Sequence, residues 1–130
     1  MTPARAATID AWHAMVADGD LSGVAALLAP DCVFRSPVAH RPYQGAQVTA
    51  LVLATAASVF EDFRYHRRLE CDDSVALEFS ARIGPAELKG IDLIRFDAGG
   101  RIVEFEVMVR PASGLQALGQ AMAQRLAGRL

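Results

Sequence analysis

The chain has 130 residues, 52% of them hydrophobic and 22% charged, with a formal net charge of −2 at pH 7. That length allows one domain with a continuous core and not two, so residues 1–130 are read as a single soluble domain. The charge balance offers no basic surface, which excludes nucleic acid as a partner.

Thr2 followed by Pro3 reads as a helix N-cap with proline in the first turn, and Ile9, Trp12 and Val16 recur at helical spacing until Gly19. This segment lacks the uninterrupted apolar stretch of a signal peptide, so the chain is expected to stay in the cytoplasm. Asp20 is expected to cap a short second helix carrying Val24, Leu27 and Leu28 and ended by Pro30. Cys32, Phe34 and Ser36 alternate in a short strand that stops at Pro37. A loop through His40, Pro42 and Gly45 leads to a third helix with the stripe Val48, Leu51, Val52, Thr55 and Val59. The apolar run from Val48 to Phe60 is interrupted by Thr49, Thr55 and Ser58 and is shorter than the roughly 20 residues that span a bilayer, so no membrane segment is expected.

Four strands follow, with inward faces Phe63, Tyr65, Arg67, Leu69 and Cys71; Val75, Leu77, Phe79, Ala81 and Ile83; Leu88, Gly90, Asp92, Ile94 and Phe96; and Val103, Phe105, Val107 and Val109. Their turns are Asp72-Asp73-Ser74, Gly84 to Glu87, and Ala98-Gly99. Ser113 with Gln116 reads as a capping box for a last helix bearing Leu115, Leu118, Met122 and Leu126. Helices followed by a meander define an α+β fold, with helices on one face of a curved antiparallel sheet. Cys32 and Cys71, without metal spacing, are expected as reduced core thiols.

Asp92 is the residue that calls for chemistry. It is a lone carboxylate on an apolar strand face, so it is paired there, protonated there, or facing a ligand. Registers that keep each face inward align Arg67, Phe79, Asp92 and Phe105 in one row, and Tyr65, Ala81, Gly90 and Val107 in the next. Ala81 and Gly90 are too small to fill the space that Leu or Phe fills in neighbouring rows, which predicts a hollow beside the acid. Arg67 either reaches over Phe79 to neutralise Asp92 or leaves for the rim; Tyr65 offers a hydroxyl. His40 is placed at the mouth of the hollow, and Trp12, Phe34, Ser36 and Phe60 complete its lining. His13, His40 and His66 have no metal-ligand spacing and no glycine-rich phosphate loop is present, so neither metal nor cofactor is expected. On the opposite face Ile91, Leu93, Ile102 and Met108 alternate with charges, a pattern suited to a homodimer packed sheet to sheet.

The run Trp12 to Leu21, then Leu27 to Pro37, Gly45, and Gly90 to Asp97 with Gly100-Arg101-Ile102 resembles the nuclear transport factor 2-like superfamily, in its SnoaL-like branch. The resemblance implies a cone: a bent sheet around a deep pocket for a small, largely apolar molecule. That fold hosts isomerases, cyclases, hydrolases and binding subunits, so it does not name a reaction. Ketosteroid isomerase uses a base Asp before a proline, a first-helix Tyr, and a protonated Asp on the penultimate strand. Asp92 falls on the last of these, while the other two positions hold Ser36 and Trp12. A serine hydroxyl without an activating partner is too weak a base for that mechanism. Limonene epoxide hydrolase needs an arginine two residues before the strand acid, where Gly90 stands. Two readings stay open: an isomerase, cyclase or hydrolase with Asp92 as general acid or base, and a binding or structural module with Asp92 locked by Arg67 or Tyr65.

Overall fold

The computed structural model describes all residues, Met1–Leu130. Helix α1 spans Pro3–Asp18, starting where Thr2 Oγ1 accepts from the Arg5 amide and ending at Gly19 in the left-handed region. The expected second helix is instead one 3-10 turn, Val24–Leu27, and the Asp20 side chain accepts only from the Ser22 amide. Strand β1 then begins at Leu28 and runs through Pro30 to Arg35. Pro30 is tolerated because the pairing of β1 with its neighbour is irregular between Leu28 and Val33, where no ladder donor is required of it. A two-residue strand β2, Tyr43–Gln44, precedes helix α2, Ala46–Val59. Strands β3 (Glu61–Glu70), β4 (Ser74–Ile83), β5 (Ala86–Phe96) and β6 (Ile102–Arg110) form the meander, and α3 (Ala112–Leu126) closes the chain. Helix α3 starts at Ala112 after Pro111, two residues earlier than a Ser113 cap would allow, and no side chain caps it.

The six strands make one open sheet in the order β2-β1-β6-β5-β4-β3, and the fold is α+β. The sheet is mixed rather than antiparallel, because β1 lies parallel to β6. The three helices cover one face. Ile9 and Trp12 of α1, Val52 and Leu53 of α2, and Leu118 and Met122 of α3 join Leu77, Ile94 and Phe105 of the sheet in a single buried cluster.

Turn length sets the register, and it differs from the sequence expectation. Ile83 pairs with Ala86 across the two-residue loop Gly84-Pro85, with Gly84 at φ +56°, a conformation that costs glycine little. Relative to a four-residue turn this slides β5 by two residues along β4, which keeps every face but changes every row. Asp92 therefore stands opposite Leu77, not Phe79, and on its other side the β5–β6 connection, with a bulge in β6, puts Val107 opposite it, not Phe105. Phe79 stands opposite Gly90 instead.

Two bulges revise which side chains point inward. Between Tyr65↔Phe79 and Arg68↔Leu77, β3 carries one residue more than β4, so its alternation inverts. Arg67 leaves the inner face, Arg68 takes it, and Leu69 and Cys71 are exposed. Between Arg95↔Glu104 and Phe96↔Ile102, β6 carries the extra residue, which turns Ile102 inward, 1% exposed, rather than onto the outer face. Cys32 alone of the two thiols is in the core.

Candidate functional site

A cavity of about 120 Å³ lies between the helices and the inner sheet face. Its walls are apolar, and Asp92 is the one carboxyl group that reaches it. The acid sits there because β5 alternates strictly, with Leu88, Gly90, Asp92, Ile94 and Phe96 buried and the residues between them exposed. Asp92 is 6% exposed.

Its partner comes from two strands away. Tyr65, the last residue of β3 before the bulge, donates its hydroxyl proton to Asp92 Oδ2 at 2.5 Å. Tyr65 in turn accepts from Trp12 Nε1–H at 2.9 Å, so α1, β3 and β5 are joined by a chain of hydrogen bonds. Trp12 is held edge-on against Phe105, ring centroids 5.2 Å apart. His13 stands edge-on to Tyr65 from the next position of α1. Burial, and then the nearby Arg68 charge, depress the His13 pKa, partly offset by Asp10.

Desolvation pushes the Asp92 carboxyl up to about 7, with the Tyr65 hydrogen bond pulling the other way. Burial, followed by the adjacent Asp92 charge, drives Tyr65 far above the usual phenol range, so its proton stays in place. Near neutral pH Asp92 is thus poised between its two protonation states, which suits a group that both takes and gives a proton.

Of the residues expected around the acid, Trp12, Phe34, Ser36, Phe60, Tyr65, Phe105 and Val107 line the cavity with it. Ser36 Oγ accepts from the Val38 amide at 3.2 Å, and no base stands near enough to activate it. Five do not line it. Arg67 lies on the outer face, where Nε and Nη2 bind the two Glu78 oxygens at 2.8 and 3.0 Å, so it neutralises Glu78 and not Asp92. Together with Lys89, Arg67 holds the Glu78 carboxyl well below the usual carboxylate range. His40 is exposed in the loop beyond β1 and does not line the cavity. Phe79 and Ala81 belong to a separate buried cluster with Leu88, in which Phe79 packs on Phe63 with ring centroids 5.0 Å apart.

Gly90 does not open a void. A methyl group there would collide with the Phe79 ring and lie 2.6 Å from the Met108 carbonyl oxygen, so the glycine makes room for an aromatic ring. The hollow is walled instead by Val52, Leu53 and Ala56 of α2 and Leu118 and Met122 of α3. Their helical spacing is the same signal as ordinary core packing, so periodicity could not distinguish the two. No three His, Cys, Asp or Glu side chains converge closely enough to hold a metal ion.

Comparison with known proteins decides the family, since the model of the SnoaL-like domain matches residues 9–105. The chain belongs to the SnoaL-like domain family. Its structure superposes with a TM-score of 0.97 on a steroid delta-isomerase from Pseudomonas aeruginosa, at 60% identity over 98% of this chain and 95% of that one. It is also similar to an uncharacterised protein with a cystatin-like fold from Silicibacter pomeroyi, at 38% identity, a TM-score of 0.89, and 94% and 86% coverage. A de novo designed protein with a curved β-sheet, 10% identical over 92% of this chain and 98% of that chain, matches at a TM-score of 0.73 and shares the fold alone. No curated protein matches this chain. No helix of this SnoaL-like protein is long and apolar enough to cross a membrane.

Proposed function

We propose that this SnoaL-like protein is an isomerase that moves a proton within a small, largely apolar carbonyl compound, with Asp92 as the transferring group. The observation that carries this reading is the single carboxyl in an apolar cavity, raised to about 7 and hydrogen-bonded on one oxygen only. The steroid delta-isomerase at 60% identity supports the reaction class.

One carboxyl group is sufficient for such a step. Ionised Asp92 takes a proton from the carbon between a carbonyl and a double bond, and the electron pair moves into the conjugated enolate. Protonated Asp92 then returns that proton to the far alkene carbon as the enolate reverts to the ketone. The double bond has moved, and no atom is gained or lost. The Tyr65 hydroxyl stays on Asp92 Oδ2 throughout, so the migrating proton travels on the other carboxyl oxygen. The enclosed space takes about one ring, for comparison with an apolar cavity of about 150 Å³ that holds benzene. Larger substrates extend past Val38, 48% exposed at the rim.

The reading also includes a homodimer, whose support is the outer sheet face: Ile91, Leu93 and Met108 are 40, 38 and 47% exposed there, beside the Arg95 and Glu104 pair. The free thiols of Cys32 and Cys71 support a reducing, cytoplasmic setting.

The test uses β,γ-unsaturated ketones, one monocyclic and one steroidal, because conjugation creates a new ultraviolet absorption. The wild type should convert at least one, and Asp92→Asn should lose about 100-fold or more in kcat while staying folded. Full activity in Asp92→Asn would overturn the assignment. Binding without any conversion would favour the second reading, a ligand-binding module in which Tyr65 locks Asp92, as their hydrogen bond allows.

A further inference from the structure

We propose that Trp12 is a positioning residue: its indole N–H sets the direction of the Trp12–Tyr65–Asp92 hydrogen-bond chain, committing the Tyr65 proton to Asp92 and leaving the other Asp92 oxygen to the cavity. This rests on the reading of Asp92 as the reacting group, but its geometry is independent of any turnover.

The direction follows from donor counting. An indole N–H only donates, whereas a phenol both donates and accepts with one proton. Because Tyr65 Oη accepts from Trp12 at 2.9 Å, its single proton goes to Asp92 Oδ2. Oδ2 is therefore an acceptor in both protonation states of the acid. Asp92 Oδ1 has no hydrogen-bond partner in the protein, and it is not among the buried polar atoms sealed from solvent. Any proton that Asp92 carries accordingly rides on the oxygen open to the cavity. A tyrosine at position 12 could donate or accept, and the chain would have no fixed direction.

Trp12 is fixed well enough for this task. It is 5% exposed, and Phe105 stands edge-on against it at an interplanar angle of 66°. The other charged or titratable groups near the chain are His13 and Asp10 of α1 and Arg68 of β3. From β4 and β6, Asp92 faces Leu77 and Val107, and α2 and α3 present only apolar side chains to the cavity.

The inference is tested by following the Asp92 side-chain carboxyl through its titration with carbon-13 NMR. Three changes are compared: Trp12→Phe, replacement of Trp12 by benzothienylalanine, which keeps the bicyclic shape without the N–H, and Tyr65→Phe. Donation from indole makes the phenol a stronger donor, so its removal weakens the bond that stabilises ionised Asp92. Losing the Tyr65 hydroxyl should raise the Asp92 midpoint by about one to two pH units. Losing the indole N–H should raise it by about 10–30% of that amount, the share expected from cooperative polarisation. In a Tyr65→Phe background the second effect should vanish, because the two act through one chain.

An equal shift with and without the Tyr65 hydroxyl would mean that Trp12 acts by packing, and would overturn the proposal. No shift with benzothienylalanine would do the same. Retained turnover in Asp92→Asn with the coupling intact would remove Asp92 as the transferring group and leave the positioning role standing. Abolished turnover with no coupling would do the reverse.

Discussion

Asp92→Asn converts the protonation of one buried group into a measurable change in the pH dependence of folding. The native carboxyl titrates at about 7 and the unfolded one near 3.8. Between those values the folded state holds a proton that the unfolded state has released, so stability falls as pH rises, by about 1.4 kcal/mol per pH unit. The contribution is complete below the unfolded value and is lost as pH climbs through the folded one. The whole span is worth about 4 kcal/mol, of which about 3 kcal/mol falls between pH 4.5 and pH 8. Asp92→Asn preserves the shape and an acceptor for the Tyr65 hydroxyl but cannot titrate. Relative to the wild type it should gain about 3 kcal/mol on moving from pH 4.5 to pH 8. Glu78 has the opposite sense, since its depressed carboxyl stabilises the fold above its unfolded pKa and that contribution is lost in acid. It is present in both proteins and cancels in the comparison. Urea unfolding followed by tryptophan fluorescence at pH 4.5, 6 and 8 measures the difference. Parallel stability profiles for the two proteins would refute the account of a desolvated, partly protonated acid.

Gly90→Ala should cost about 1–3 kcal/mol of unfolding free energy, because the new methyl group meets the Phe79 ring and the Met108 carbonyl; an unchanged urea midpoint would show that strand and ring separate freely. Ala56→Leu extends a side chain of α2 into the cavity and should abolish binding of a benzene-sized apolar probe, measured by calorimetry, with little loss of stability. Binding that survives the change would place the probe elsewhere. On the outer sheet face, Ile91→Lys should convert a two-chain species to a single chain in light scattering without altering the far-ultraviolet circular dichroism; a mass insensitive to the change would remove this face as the dimer contact.

Much of the fold was legible because period-two and period-3.6 patterns report which face of an element is buried. The helix α1, the third expected helix, and the inward faces of β4 and β5 follow from that signal, as does the inward placement of Asp92. The segment order likewise pointed to the SnoaL-like family. Periodicity carries no information about how far one strand slides along another. That displacement was decided by the two-residue loop Gly84-Pro85, which put Asp92 opposite Leu77, and by the β5–β6 connection with its bulge, which put Val107 opposite it on the other side. Nor does alternation announce where an extra residue will be absorbed. The bulge after Tyr65 sent Arg67 to Glu78, and the bulge in β6 buried Ile102. What surrounds the acid is a property of distant segments: Trp12 and Tyr65 lie 53 residues apart, and Tyr65 and Asp92 lie 27 apart. Local sequence therefore determined that a carboxyl group would enter the interior. Whether it met an arginine, a phenol or open space was determined by register and packing, because those alone set distances between side chains that the chain keeps far apart.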